Sequence, residues 1–210
     1  PSREPVPHRY PAAGTTNPDV QLFVCPLDGP KRQIRWDAAQ FPYLPRVVWS
    51  RAGFVIAVQS RDQRTLQVLD VDLDTGTTAE RWTDTDEQWV ELVAGTPALF
   101  GDGRLVTAAD RDGARRLLIE GVAVTPPELQ VRSVQGINSD SVWFTANPID
   151  DATVLHVWRW DDDGLTAVAD DAGVHGVTVG GPTAVIRSAT LGAPHPVTRI
   201  LGGPTIAGHA

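Results

Sequence analysis

Short alternating apolar runs, each closed by Gly, Asp, Asn or Pro, follow one another along this chain, and apolar residues recurring at helical spacing are hard to find. Residues 53–60 (GFVIAVQS) and 65–73 (TLQVLDVDL) are two such runs, and Asp74-Thr75-Gly76 turns the second into residues 77–82. A left-handed turn position tolerates Gly best, so Asp-Thr-Gly suits a hairpin. The pattern returns at 103–110 and 114–119 around Arg111-Asp112-Gly113. It returns again at 141–146, 153–160 and 165–168 with Asp163-Gly164, and at 183–188 with 196–201. Ser50, Gly101, Asn138 and Gly180 fall in register at separations of 51, 37 and 42 residues. A loose period in the forties is the signature of four-stranded propeller blades. The reading is therefore all-β: a β-propeller fragment of antiparallel blades, complete over about 46–82, 96–124 and 130–168. Residues 20–36 read as the outer half of a further blade and 174–201 as most of another. An ordinary β-sandwich is the competing architecture, but it rarely repeats one hairpin at such regular spacing.

Three complete blades do not close a ring, so the strand edges need cover. The two partial blades can meet within one chain, or two chains can associate edge to edge. About two strands at one end and three at the other are one too many for a composite blade, which favours self-association.

The 210 residues form about one domain with ample core. A net charge of −8 argues against nucleic acid as a partner, which asks for a basic face. No apolar run approaches the ~18 residues of a membrane span, and Pro1-Ser2-Arg3-Glu4 opens no signal peptide, so the expected compartment is the cytoplasm. The single Cys25 excludes an internal disulfide and any multi-cysteine zinc site. Lys31 is the sole lysine among 18 basic residues, a skew that reports on a GC-rich genome rather than on chemistry.

The motifs of catalysis are missing from this stretch. No Gly-x-Ser-x-Gly elbow is present, and none of the serines has an activating context. His8, His156, His175, His195 and His209 show no zinc spacing; His156 reads as a hydrogen-bonded strand histidine and His195, between two prolines, as a loop residue. Asp70-x-Asp72-x-Asp74 imitates the start of a calcium loop, but Thr75 stands where Gly is needed and Arg81 where the last carboxylate should be. Gly180-Gly181 precedes Pro182 and a strand, so it cradles no phosphate. Hence no catalytic, cofactor-binding or metal-binding residue is assigned, and no cofactor is expected. Trp49, Trp143, Trp158 and Trp160 lie in strands and read as packing between blades, whereas Trp89 sits in a connection and is the tryptophan placed to face a ligand.

Several segments, in order, resemble the β-propeller domain of the dipeptidyl peptidase IV family in the prolyl oligopeptidase clan. Tyr10-Pro11-Ala12-Ala13-Gly14-Thr15-Thr16-Asn17-Pro18 is similar to the family's Tyr-Pro-x-Ala-Gly-x-x-Asn-Pro stretch. Tyr43-Leu44-Pro45-Arg46-Val47-Val48-Trp49 and Arg61 and Gln63 of the next turn follow, although Ser60 and Arg64 depart from the family's Asn-Arg-x-Gln-Asn. Trp89-Val90, Phe100-Gly101-Asp102-Gly103 and Gly173-Val174-His175-Gly176 complete the set. The resemblance implies a parent that releases N-terminal dipeptides, with peptide substrate and an α/β-hydrolase domain of the same polypeptide as partners. It implies that residues 1–210 are a partial propeller without the hydrolase domain, carrying neither the serine, aspartate and histidine nor the glutamates that hold the substrate's amino end. The segment after Trp89-Val90 borders the substrate cavity in better-known members; here it is Glu91-Leu92-Val93-Ala94-Gly95, without the family's aromatic and arginine. A free-standing propeller used as an interaction module is the alternative, and it lacks a repeated Gly-His or Trp-Asp signature.

Overall fold

The computed structural model describes residues 15–206; Tyr10–Gly14, His8 and His209 lie outside them. A short pair, β1 (Leu22–Val24) and β2 (Arg32–Ile34), comes first. The first blade is β3 (Tyr43–Ser50), β4 (Gly53–Gln59), β5 (Thr65–Val71) and β6 (Thr78–Thr85). The second is β7 (Ala98–Leu99), β8 (Leu105–Arg111), β9 (Ala114–Ile119) and β10 (Val122–Ala123). The third is β11 (Leu129–Ile137), β12 (Val142–Pro148), β13 (His156–Asp161) and β14 (Gly164–Ala169). The fourth is β15 (Val174–Gly180), β16 (Thr183–Ala189), β17 (Val197–Ile200) and β18 (Thr205–Ile206). Each is a four-stranded antiparallel meander in chain order.

The turns placed in register by the sequence do join the first two strands of each blade. Ser50 faces Gly53, Phe100 is bonded to Arg104, Asn138 to Ser141, and Gly180 faces Thr183. Ser50, Gly101 and Asn138 line one recess on a shared rim. The fourth sheet is complete where the sequence showed only most of a blade, because β18 is two residues long and carries no alternation to betray it. That sheet draws no strand from β1–β2, which pack instead on the first blade through Leu22, Val24, Ile34, Phe54, Ile56 and Leu69. The intrachain composite blade is thus not formed. β13 begins at His156 rather than near 153, because Asp151 accepts both the N–H and the hydroxyl of Thr153 and bends the chain there.

The core lies between blades. Strand alternation sends Phe144 toward the second blade and Trp143 toward the fourth, so one strand serves two interfaces. Phe100, Val106 and Leu117 of the second blade meet Val131, Val142 and Phe144 of the third. Ion pairs rivet the first seam and the second at their rim. Arg81 reaches Asp70 (3.2 Å) on its own blade and Glu120 (2.6 Å) on the next. Arg104 holds Asp102 (2.8 Å) and Asp162 (2.6 Å) while its guanidinium stands 4.7 Å from the Phe100 ring. These exposed pairs add little individually; their geometry fixes blade against blade.

Turn carboxylates give the fold an acid sensitivity. Asp62 is held below its ordinary 3.8 chiefly by the Ser60 hydroxyl, Asp72 by the Thr75 N–H, Asp102 by the Arg104 N–H and Asp151 by the Thr153 hydroxyl. A carboxyl depressed in the folded state contributes fully above its unfolded value and loses that contribution as pH falls through the folded one. The urea midpoint is therefore expected to hold from neutrality down to about pH 4 and fall below it. Combining Asp62→Asn, Asp72→Asn, Asp102→Asn and Asp151→Asn should flatten that fall; an unchanged profile overturns the assignment.

Candidate functional site

The connection from β6 to β7, residues 86–97, stands where the beginning of an innermost strand would run. β7 is only two residues long as a result. Asp86 starts the connection by accepting the N–H groups of Gln88 (2.7 Å) and Trp89 (3.1 Å). Val90, buried against Ala57, Leu66 and Trp82, donates its N–H to the Gln63 carbonyl at 2.7 Å and accepts from the Gln59 amide at 3.2 Å. Past Val90 the chain leaves the first blade and pairs with the third: Ala94 forms a parallel bridge to Ser133 and accepts from the Val134 N–H at 2.9 Å. Gly95 makes this close approach possible. Its φ is +85°, and a Cβ there would stand 2.0 Å from the Val134 carbonyl oxygen.

Pinned at both ends, the connection lifts Trp89 (60% exposed) and Leu92 (49% exposed) into solvent. Trp89, in the connection, thus faces outward. Beneath the connection lies a cavity of about 150 Å³ between the first and second blades, with an apolar wall of Ala57, Leu66, Val68, Trp82 and Pro97 and with Arg46 and Glu91 also lining it. Thr107 also lines it, and its Oγ1 is buried without a hydrogen-bond partner among the described residues. Next to it, the groove under Trp89 is closed by buried Asp84, paired with Arg111 at 2.6 Å across the blade seam. Breaking such a pair leaves an uncompensated charge, so its role is to hold the wall.

The other residues singled out in the sequence sort cleanly. Trp143 is buried between the third and fourth blades, and Trp158 and Trp160 pack against the seam between the second and third. Trp49 departs from the packing role: it is 61% exposed on β3, tilted over Phe54 at 4.8 Å, because none of the described residues covers that side of the innermost strand. His156 is buried in β13, but the hydrogen-bonded histidine is its neighbour His175, 6.4 Å away between ring centres. Nε2 of His175 faces the Asp171 carbonyl at 2.9 Å, which only accepts, so Nδ1 accepts from the Ser188 hydroxyl at 2.8 Å. That arrangement ties two strands and a connection together, and the imidazole has no solvent-exposed surface through which to serve as a base. His195 is exposed in the β16–β17 connection. Asp72 accepts from Asp74 and Thr75, and Asp70 pairs with Arg81, so these carboxylates are spent within the blade. Among the described residues no three His, Cys, Asp or Glu side chains gather as a metal site.

Four consecutive meandering sheets, stacked face to face with a loop in place of part of one innermost strand, define a segment of a β-propeller. Residues 2–179 match the dipeptidyl peptidase IV (DPP IV) N-terminal region, and the chain belongs to that family. Among solved structures it is similar to Porphyromonas gingivalis dipeptidyl peptidase 4, at 14% identity and a TM-score of 0.67 over 81% of this chain and 26% of that one. A second is a putative dipeptidyl aminopeptidase IV from Bacteroides ovatus, at 16% identity and a TM-score of 0.57 over 75% and 27%. A puromycin hydrolase S511A mutant complexed with PGG matches at 16% identity and a TM-score of 0.57 over 84% and 31%. At these identities the likeness is one of fold, and the chain spans between a quarter and a third of the length of those three structures.

Proposed function

We propose that this chain is the non-catalytic propeller part of a dipeptidyl peptidase IV-like serine exopeptidase, which gates and orients a peptide for an α/β-hydrolase domain of the same polypeptide. The observation that carries the reading is the family match over residues 2–179 together with the Trp89–Leu92 lip above the cavity. In this reading the parent's hydrolase domain contributes nucleophile, base and oxyanion hole. The propeller contributes a rigid wall: Trp89 and Leu92 offer apolar area to the peptide, and Thr107 offers a hydroxyl. Chromophore release from a Gly-Pro anilide is expected to be nil with this chain and measurable once it is joined to its hydrolase domain. Turnover by this chain alone overturns the division of labour, and a parent reading frame without a Gly-x-Ser-x-Gly element overturns the peptidase reading itself.

A further inference from the structure

We propose that the recess on the inner surface between the third and fourth blades is a carboxylate-binding site built on Arg132 and Arg187. This goes beyond the peptidase reading, because it concerns the charge of a ligand and not any reaction. The recess is an open hollow of about 260 Å³ whose polar lining is Arg132, Ser133, Gln135 and Thr145 from the third blade and His175 and Arg187 from the fourth, with Leu155, Val174 and Gly176 completing it. No Asp or Glu is among its lining residues.

In a chain of net charge −8, Arg81, Arg104 and Arg111 each hold a carboxylate across another blade seam. Arg132 and Arg187 hold none among the described residues. Arg132 spends its Nε on the Asn147 side-chain oxygen at 2.6 Å, which orients the guanidinium and leaves its Nη groups for another acceptor. Arg187 is exposed and makes no ion pair or side-chain hydrogen bond among the described residues. Both guanidiniums are exposed, and each can present its N–H donors two at a time to a planar oxyanion.

The remaining polar groups point the same way. Gln135 donates to Ser133 Oγ at 2.6 Å, and Ser133 and Thr145 share one hydrogen bond at 2.9 Å. Two hydroxyls hold two protons and only one is used between them, so one stays available to an acceptor. Gly176 stands opposite Arg187 in the β15–β16 ladder, and a Cβ there would meet nothing within 4 Å. That missing side chain leaves the mouth open in front of the guanidinium. The recess also adjoins the lip described above, since Ser133 is bridged directly to Ala94. A peptide's C-terminal or side-chain carboxylate is the ligand these donors fit.

The test is calorimetric titration of the whole chain with N-acetyl-Ala-Ala carboxylate, its C-terminal amide and inorganic phosphate, at low and high salt. The carboxylate is expected to bind at least tenfold more tightly than the amide, and to weaken as salt screens the pair. Arg187→Gln, an exposed position that no fold contact depends on, should remove about a tenfold share of that affinity. Gly176→Leu should block binding while both charges remain, and Arg132→Lys, which keeps a charge but loses the fork, should fall between. Equal binding of acid and amide overturns the proposal. So does affinity unchanged in Arg187→Gln and Gly176→Leu, or binding of phosphate but not of the carboxylate.

Discussion

Gly95→Ala is expected to destabilise the chain by about 3–5 kcal/mol, a loss at the extreme of what single substitutions do. Two costs add at this position. The backbone sits at φ +85°, where an L side chain pays about 1–2 kcal/mol. The new Cβ would also lie 2.0 Å from the Val134 carbonyl oxygen and 2.8 Å from its carbon, so the connection must withdraw and give up the Ala94–Ser133 bridge. Gly113 is the internal control: φ is nearly the same at +81°, but nothing lies within 4 Å of a Cβ there. Gly113→Ala should therefore show the conformational cost alone. Urea titrations of the two variants measure the difference, and equal losses would falsify the close-approach argument.

The second large effect is expected at Phe100. Its side chain is fully buried at the end of the two-residue β7, with its ring edge-on to Trp160 at 6.0 Å between centroids and capped by Arg104 at 4.7 Å. Phe100→Ala removes an aromatic ring from the seam that joins the second and third blades and leaves a void that rigid sheets cannot fill. The cost is about 3–5 kcal/mol, with the aromatic pair supplying about 1 kcal/mol of it. Against the 5–15 kcal/mol that typically holds a domain together, such a loss should shift the urea midpoint strongly. Phe100→Leu, which refills most of the volume, should recover more than half of it. A near-native midpoint for Phe100→Ala would mean that the seam is held by its ion pairs instead.

Blades were legible in the sequence because a turn demands particular residues while a sheet face demands alternation, and both recur together at Ser50, Gly101, Asn138 and Gly180. Short or interrupted strands escaped for the same reason: β18 has two residues and β7 two, too few to alternate. Alternation also says which side of a strand a residue takes, not whether anything covers that side, which is why Trp49 looked like packing and proved exposed. Trp89 is exposed because a large aromatic in a connection has no ladder to join. The Arg132–Arg187 recess left no local trace, since its members come from strands of two blades that only the stacking of sheets brings together.

The connection between Val90 and Gly95 resembles a clothesline more than a strand. It is tied at one post to the Gln63 carbonyl of the first blade and at the other to Val134 of the third, and between the posts only Val93 is buried. Glu91 and Leu92 hang free of every sheet. Substitutions at those two positions can change the surface presented above the cavity without disturbing a blade, so this face can vary on a different clock from the fold.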